Sequence, residues 1–94
     1  MQGTLKRNYN DILITHNLPA SPVVGNWYQA GTVDSSKSYT ILGFSANNME
    51  TPPVQYSEGV IDIVRVRKTG EVEYRVASVQ NNAQVWIWLR EISS

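Results

Sequence analysis

The sequence lacks several of the residues on which protein chemistry commonly depends. It has no cysteine, one histidine and one phenylalanine, and its eight basic side chains are balanced by eight acidic ones. Without cysteine the chain has no disulfides, no thiolate nucleophile and no Cys-ligated zinc. A net charge of zero argues against strong attraction to nucleic acid or anionic lipid. No apolar run reaches the length of a transmembrane helix, and the N-terminal residues have no apolar segment of the signal-peptide type. We therefore expect neither a nucleic-acid partner nor membrane insertion.

The inventory of catalytic groups is equally short. His16 is the only histidine, and a general base or metal site needs partners that nothing near it in the sequence fixes, so we expect a surface or capping role. The sequence has no phosphate-binding glycine loop and no nucleophile elbow. We expect no catalytic residues, no metal, no cofactor and no enzymatic activity. The enzyme hypothesis that remains is a hydrolase using Asp11, Glu50 or Glu58 in a subunit cleft.

The residues that are abundant favour β-structure. Val, Ile, Thr and Tyr recur between Gly, Pro, Asn and Ser, and no stretch has the apolar spacing of an amphipathic helix. The 94 residues predict a single all-β domain, residues 1–94, in which residues 1–16 form an N-terminal arm or a first strand. We expect six or seven antiparallel strands in a small β-sandwich or flattened barrel. Strands are predicted over residues 26–33, 38–44 and 83–92, with a long irregular connection over residues 45–59.

A hairpin around Lys68-Thr69-Gly70 is the clearest local prediction. A three-residue loop with Gly70 in the left-handed conformation forms a type I turn with a G1 bulge. In this register Arg65 lies opposite Glu73 and Val64 opposite Tyr74, so that charges pair on one face and apolar groups on the other. A two-residue loop would set charges against apolar side chains. The basic segment "RVRK" is accordingly interpreted as a salt-bridged, solvated face.

The last predicted strand, "AQVWIWLREI", is apolar on both faces. Trp86 and Trp88 point to one side, and the aliphatic residues between and beside them point to the other. We expect the tryptophans to fill the core and the aliphatic row to meet other copies of the chain. If the assignment is reversed, the tryptophans are the interface or a sugar platform. The outer face of the hairpin also becomes apolar away from its turn, and the predicted interface therefore comprises Ile61, Ile63, Ala77, Val79, Val85, Ile87 and Leu89.

Aromatic rings near amides and carboxylates suit carbohydrate, because the C–H faces of a sugar stack on rings while its hydroxyls bond to bidentate polar groups. Trp27 and Tyr28 are adjacent, so one is predicted to be core and the other exposed or at an interface. The long connection supplies amides, a carboxylate and a further ring. The candidate carbohydrate-binding residues are Trp27, Asn47, Asn48, Glu50, Gln55 and Tyr56, and the alternative for the connection is an ordinary surface loop.

Three groups of residues resemble the pyocin-knob-like distal domains of phage tail fibres and tailspikes. They are Gly25 followed by Trp27-Tyr28, the Tyr74-Arg75 pair on a strand, and the terminal Trp88 with Arg90-Glu91-Ile92. The resemblance spans residues 17–92. It implies a homotrimer at the tip of a fibre, in the virion tail, made in the host cytoplasm and extracellular once assembled. Its implied partners are the parent fibre or tailspike chain, which could be a polysaccharide depolymerase, and bacterial surface polysaccharide. It implies receptor binding or stabilisation of the trimer.

A different class of function remains open beside it. A small OB- or SH3-like adaptor would bind nucleic acid or protein through Arg65, Arg67 and Lys68 together with Tyr74. Salt-dependent binding to single-stranded DNA distinguishes this hypothesis.

Overall fold

The structure is a computed structural model that describes residues 10–48, 59–79 and 83–92. The described residues form six strands and no helix, so none of them belongs to a helix able to cross a membrane. The predicted all-β class is therefore confirmed. The strands are β1 (Asn10–Asn17), β2 (Trp27–Thr32), β3 (Ser38–Asn48), β4 (Ile61–Val66), β5 (Glu71–Val76) and β6 (Ala83–Ile92).

The strands form two antiparallel sheets of three strands each. One sheet has the order β1-β6-β3, and the other has the order β2-β5-β4. β6 and β5 are the central strands, so each is hydrogen-bonded on both sides. The neighbouring edge strands approach each other, β1 beside β2 and β3 beside β4. The buried apolar side chains of both sheets form one core cluster between the layers, which is the arrangement of a small sandwich.

The hairpin between β4 and β5 has the predicted register. Arg65 pairs with Glu73 and Val64 pairs with Tyr74. The Gly70 N–H donates to the Arg67 carbonyl and the Arg67 N–H donates to the Glu71 carbonyl, both at 2.9 Å. Gly70 has a φ of 99°, the left-handed conformation that a G1 bulge requires. The Arg65 guanidinium lies 2.7 Å from the Glu73 carboxylate, so the pairing of charges that selected this register is present.

The predicted orientation of β6 is wrong. Val85, Ile87 and Leu89 are fully buried in the core of the single chain, whereas Trp86 and Trp88 are partly exposed on the outer face of their sheet. The opposing sheet explains the choice, because it already places Tyr74, the largest of the fully buried side chains described, in the core between the layers. A row of aliphatic side chains fits against that ring, and two indoles would overfill the space.

A register shift in β4 changes the side of the sheet to which Ile61 points. Ile63 pairs with Arg75, but Ile61 pairs with Val76 rather than with Ala77, which leaves one extra residue at this point of β4. A bulge of this kind reverses the face of every residue beyond it. Ile61 therefore turns into the core and is buried, while Ile63 remains exposed on the outer face.

The core also contains a polar pair. The Tyr74 hydroxyl is hydrogen-bonded to Nδ1 of His16 at 2.8 Å. Burial raises the pKa of Tyr74 to about 12, with a smaller contribution from Tyr28, and burial lowers the pKa of His16. The histidine is thus a partly buried partner of Tyr74, and not the surface or capping residue that the sequence suggested.

Candidate functional site

The outward face of the β1-β6-β3 sheet presents Trp86 and Trp88 on its central strand. Because directly paired residues point to the same side of a sheet, the register defines four rows across this face. We call this surface the tryptophan face. Its rows, from one end to the other, are Asn17-Gln84-Asn47, Thr15-Trp86-Ser45, Leu13-Trp88-Gly43 and Asp11-Arg90-Thr40. Successive rows lie about 7 Å apart along the strands.

The two indole rings are held in a defined arrangement. Their centroids lie 5.9 Å apart with an interplanar angle of 67°, an edge-to-face contact. Nε1–H of Trp86 donates to Oε1 of Gln84 at 2.6 Å, and Nε2–H of Gln84 donates to Oδ1 of Asn17 at 3.1 Å. These two bonds link the amides of Gln84 and Asn17 to the ring of Trp86. The amide NH2 of the exposed Asn17 takes no part in them.

Space is open beside Trp88. Its neighbour on β3 is Gly43, and a Cβ built on Gly43 meets nothing within 4 Å. Its neighbour on β1 is Leu13, which is 48% exposed. An apolar strip with a shallow opening on the glycine side therefore crosses the middle of the face.

An ion pair closes the other end of the tryptophan face. Nε–H and an Nη2–H of Arg90 donate to the two carboxylate oxygens of Asp11 at 2.8 and 3.0 Å. This hydrogen-bonded pairing lowers the pKa of the Asp11 carboxyl. Asp11 is therefore held in an ion pair, and its lowered pKa is the opposite of the raised pKa that a general-acid carboxyl needs.

The rows together combine apolar rings with polar ends. Two aromatic rings offer surface for the C–H face of a sugar, and the Gln84-Asn17 amides and the Asp11-Arg90 pair offer donors and acceptors to hydroxyls on either side. Aromatic residues with a few fixed polar groups are typical of a ligand-binding surface.

The structure distributes the predicted carbohydrate-binding residues differently. Glu50, Gln55 and Tyr56 lie outside the described residues. Asn47 and Asn48 belong to β3 and not to a loop, and Asn47 is only 9% exposed, so its side chain is poorly placed to meet a ligand.

Trp27 is on the opposite sheet, away from the tryptophan face. As predicted for the Trp27-Tyr28 pair, one ring packs inward and the other outward: Tyr28 packs against the core, and the Arg65 guanidinium lies over the Trp27 ring, 3.8 Å from its centroid. One face of the Trp27 ring is thus already covered by the chain's own side chain.

The predicted interface residues are divided between core and surface. Four of them are buried in the core of the single chain, where they cannot form an outer row against another copy: Ile61, Val85, Ile87 and Leu89. Ile63 and Val79 remain exposed and Ala77 is partly buried. Further exposed apolar residues lie on β3, at Ile41, Leu42 and Phe44, and the sequence analysis does not place them at the interface.

The residues of the adaptor hypothesis do not form one exposed surface in the structure. Tyr74 has no exposed surface, so its ring cannot stack on a base. Arg65 and Arg67 both approach the Glu73 carboxylate, at 2.7 and 3.7 Å, as the salt-bridged interpretation predicted. Among the described residues, no group of three metal-ligating side chains lies together.

The sequence did contain a signal for the tryptophan face. Gln84 and Arg90 share the alternation of the tryptophans, whereas the residues on the other alternation from 83 to 89 are all apolar. The polar ends identify the tryptophan side as the one that meets water. Comparison with known protein families, curated proteins and solved structures finds no match to this chain.

Proposed function

We propose that this protein is a non-enzymatic carbohydrate-binding module that holds a glycan on its tryptophan face. The proposal rests on one observation above all. Trp86 and Trp88 lie outward in edge-to-face contact at 5.9 Å, on a sandwich whose core cluster of described residues does not include them. Aromatic side chains that lie outside the core and are oriented by their neighbours, here by the Trp86–Gln84 hydrogen bond and the contact between the two rings, are the residues expected to bind a ligand.

The chemistry of the face favours a sugar over other small ligands. A sugar ring has an apolar C–H face for an indole and hydroxyls at its edge for amides. The rings of the tryptophan face are flanked by an amide pair, Gln84 with Asn17, at 3.1 Å and by the carboxylate–guanidinium pair of Asp11 with Arg90 at 2.8 Å. Each pair combines a donor with an acceptor, and this combination suits neighbouring hydroxyls.

The test is binding to a printed array of bacterial surface polysaccharides, followed by titration of those that bind. Trp88→Ala should weaken the affinity at least about tenfold, the loss expected for an aromatic anchor. Trp27→Ala is the matched control, because Trp27 is also a partly exposed ring on an outer sheet face and should leave the affinity unchanged. Equal losses in the two variants, or no bound polysaccharide with folded protein, would refute the proposal.

We further propose that the module works at the tip of a phage tail fibre or tailspike, in the virion tail, where it would meet bacterial surface polysaccharide. This part of the proposal is supported by the residues that resemble pyocin-knob-like domains, including Gly25, Trp27 and Trp88. Trp88 then has a role in the ligand surface rather than in the core.

Self-association into a homotrimer is proposed through the side of the sandwich where β3 and β4 approach each other. Ile41, Leu42 and Phe44 on β3 and Ile63 on β4 are between 37% and 45% exposed, and exposed apolar residues on two strands that approach each other favour association. A second copy is the partner that fits, since a chain of zero net charge does not repel itself.

Sedimentation velocity tests the assembly. We expect a trimer that Phe44→Ser converts to monomer, while Val24→Ser, which removes an exposed aliphatic group in a loop, leaves it intact. A monomer at high micromolar concentration would contradict the assembly proposal and leave carbohydrate binding untouched.

A further inference from the structure

A cleft separates two turns at one end of the sandwich. It lies between the β2–β3 turn and the β4–β5 hairpin turn and has a volume of about 520 Å³. The turns are joined at its base, where the Val33 N–H donates to the Gly70 carbonyl at 2.8 Å. Gly70 has no side chain, and a Cβ there would collide with the Val33 carbonyl oxygen. The close contact of the two turns therefore depends on glycine, and the cleft is a built feature of the fold.

Basic side chains dominate the lining of this cleft. Lys37, Arg67 and Lys68 line it, and Asp34 is the one carboxylate among its described lining residues. Asp34 is occupied within its own turn, because its carboxylate accepts hydrogen bonds from the Ser36 N–H at 2.9 Å and the Ser36 hydroxyl at 2.6 Å. These bonds lower the pKa of the Asp34 carboxyl.

The ion pairs at the cleft are looser than those elsewhere on the described surface. Arg67 lies 3.9 Å from the Glu71 carboxylate and 3.7 Å from that of Glu73, and Lys37 lies 3.4 Å from Glu91. On the outer face of the β2-β5-β4 sheet, by contrast, Arg75 binds Asp62 at 2.7 Å. Loose, exposed pairs are worth little, so the cations of the cleft can turn to an incoming anion at small cost.

The cleft lies close to the tryptophan face. Ser38, which lines the cleft, pairs with Ile92 on β6. Trp88 is four residues from Ile92 on the same strand, which corresponds to about 13 Å. A short oligosaccharide can therefore lie on Trp88 and extend past Arg90 to the end of the sandwich.

From these observations we infer that the ligand is an acidic glycan, and that its carboxylate or phosphate group binds in the cleft to Lys37, Arg67 and Lys68. The inference rests on the proposed function and specifies its substrate class. The three hydroxyls of Ser35, Ser38 and Tyr39 also line the cleft and can donate to the same anion.

The experiment compares each acidic polysaccharide with its neutral form, carboxyl-reduced where the acid is a carboxylate and dephosphorylated where it is a phosphate, using the intact chain, with inorganic phosphate as a competitor. We expect the acidic form to bind at least about tenfold more tightly, and each lost cation to weaken it about three- to tenfold. The double variant Lys37→Gln/Lys68→Gln should abolish the preference for the acidic form. Arg75→Gln is the control, since it removes one positive charge from the outer face of the β2-β5-β4 sheet, outside the cleft, and should preserve the preference.

The outcomes separate the two proposals. Equal binding of both forms, with loss in Trp88→Ala, would overturn the acidic subsite and keep the carbohydrate module. If phosphate and acidic polysaccharide bind with the same affinity to Trp88→Ala as to the unchanged protein, the carbohydrate site on the tryptophan face is refuted and the anion site in the cleft stands. If Arg75→Gln weakens binding as much as the double variant does, the effect is one of overall charge and the cleft is refuted. Absence of any binding refutes both.

Discussion

Truncation of Leu89 is the sharpest test of the layer assignment. Leu89 lies on the central strand of its sheet and is 0% exposed. Leu89→Ala removes roughly three buried carbons, at about 0.8 kcal/mol each. The cavity left behind adds to this loss, so the expected cost is about 2.5–5 kcal/mol. A domain of this length has a total stability of about 5–14 kcal/mol, and the variant would lose a large part of it.

Leu13 provides a matched control with the same chemistry. It lies on the neighbouring strand, pairs with Trp88 and is 48% exposed. Leu13→Ala should cost about 1 kcal/mol, because solvent already covers half of the side chain and no cavity forms. Urea and thermal unfolding followed by circular dichroism measure both variants. The difference corresponds to a separation in Tm of about 6–20 °C. Similar losses, or a larger loss for Leu13→Ala, would refute the assignment of the two faces of β6.

Three further predictions concern stability. Gly70→Ala should lower the free energy of unfolding by about 1–3 kcal/mol, since the φ of 99° and the neighbouring atoms exclude a side chain. Gly43→Ala is the control and should be nearly neutral in urea titrations. Equal losses in the two variants would contradict this prediction. Tyr74→Phe should cost about 1 kcal/mol through loss of the bond to His16, and an unchanged midpoint would contradict it. Burial lowers the pKa of His16, so the folded state favours the neutral ring, and the free energy of unfolding should fall as pH drops below about 6.5. The His16→Asn variant should lack this fall. Identical pH profiles for the two proteins would contradict the prediction.

The hairpin was predictable because its cross-strand chemistry is local. Only one register pairs Arg65 with Glu73 and leaves Val64 opposite Tyr74, and both pairs are present. The position of Gly70 then fixed the turn type. Interactions within twenty residues of chain were sufficient for this part of the fold.

The face of β6 depended on interactions distant in sequence. The large indole rings of Trp86 and Trp88 favour a position in the core, but the opposing sheet already places Tyr74 there. The polarity of Gln84 and Arg90 indicated the correct side, and it was outweighed by the bulk of the indoles. Side-chain size alone therefore misassigned a strand whose polar ends indicated its orientation.

Two other errors have topological causes. Asn47 was assigned to a loop from its local composition, but β6 is long enough to pair with β3 through Asn48. Ile61 was assigned outward by strict alternation, and the extra residue at Asp62 turns it inward. A bulge adjusts a strand to the sheet packed against it, and the sequence of one hairpin does not specify that partner.

The indole N–H resonances of the tryptophans report whether a glycan occupies the tryptophan face. The chain has three tryptophans, so a 15N-labelled sample gives three indole signals, one each for Trp27, Trp86 and Trp88. During titration with polysaccharides from the array, we expect the signals of Trp86 and Trp88 to shift together while that of Trp27 stays in place. Binding that shifts Trp27 and leaves the other two signals unmoved would contradict a glycan site on the tryptophan face.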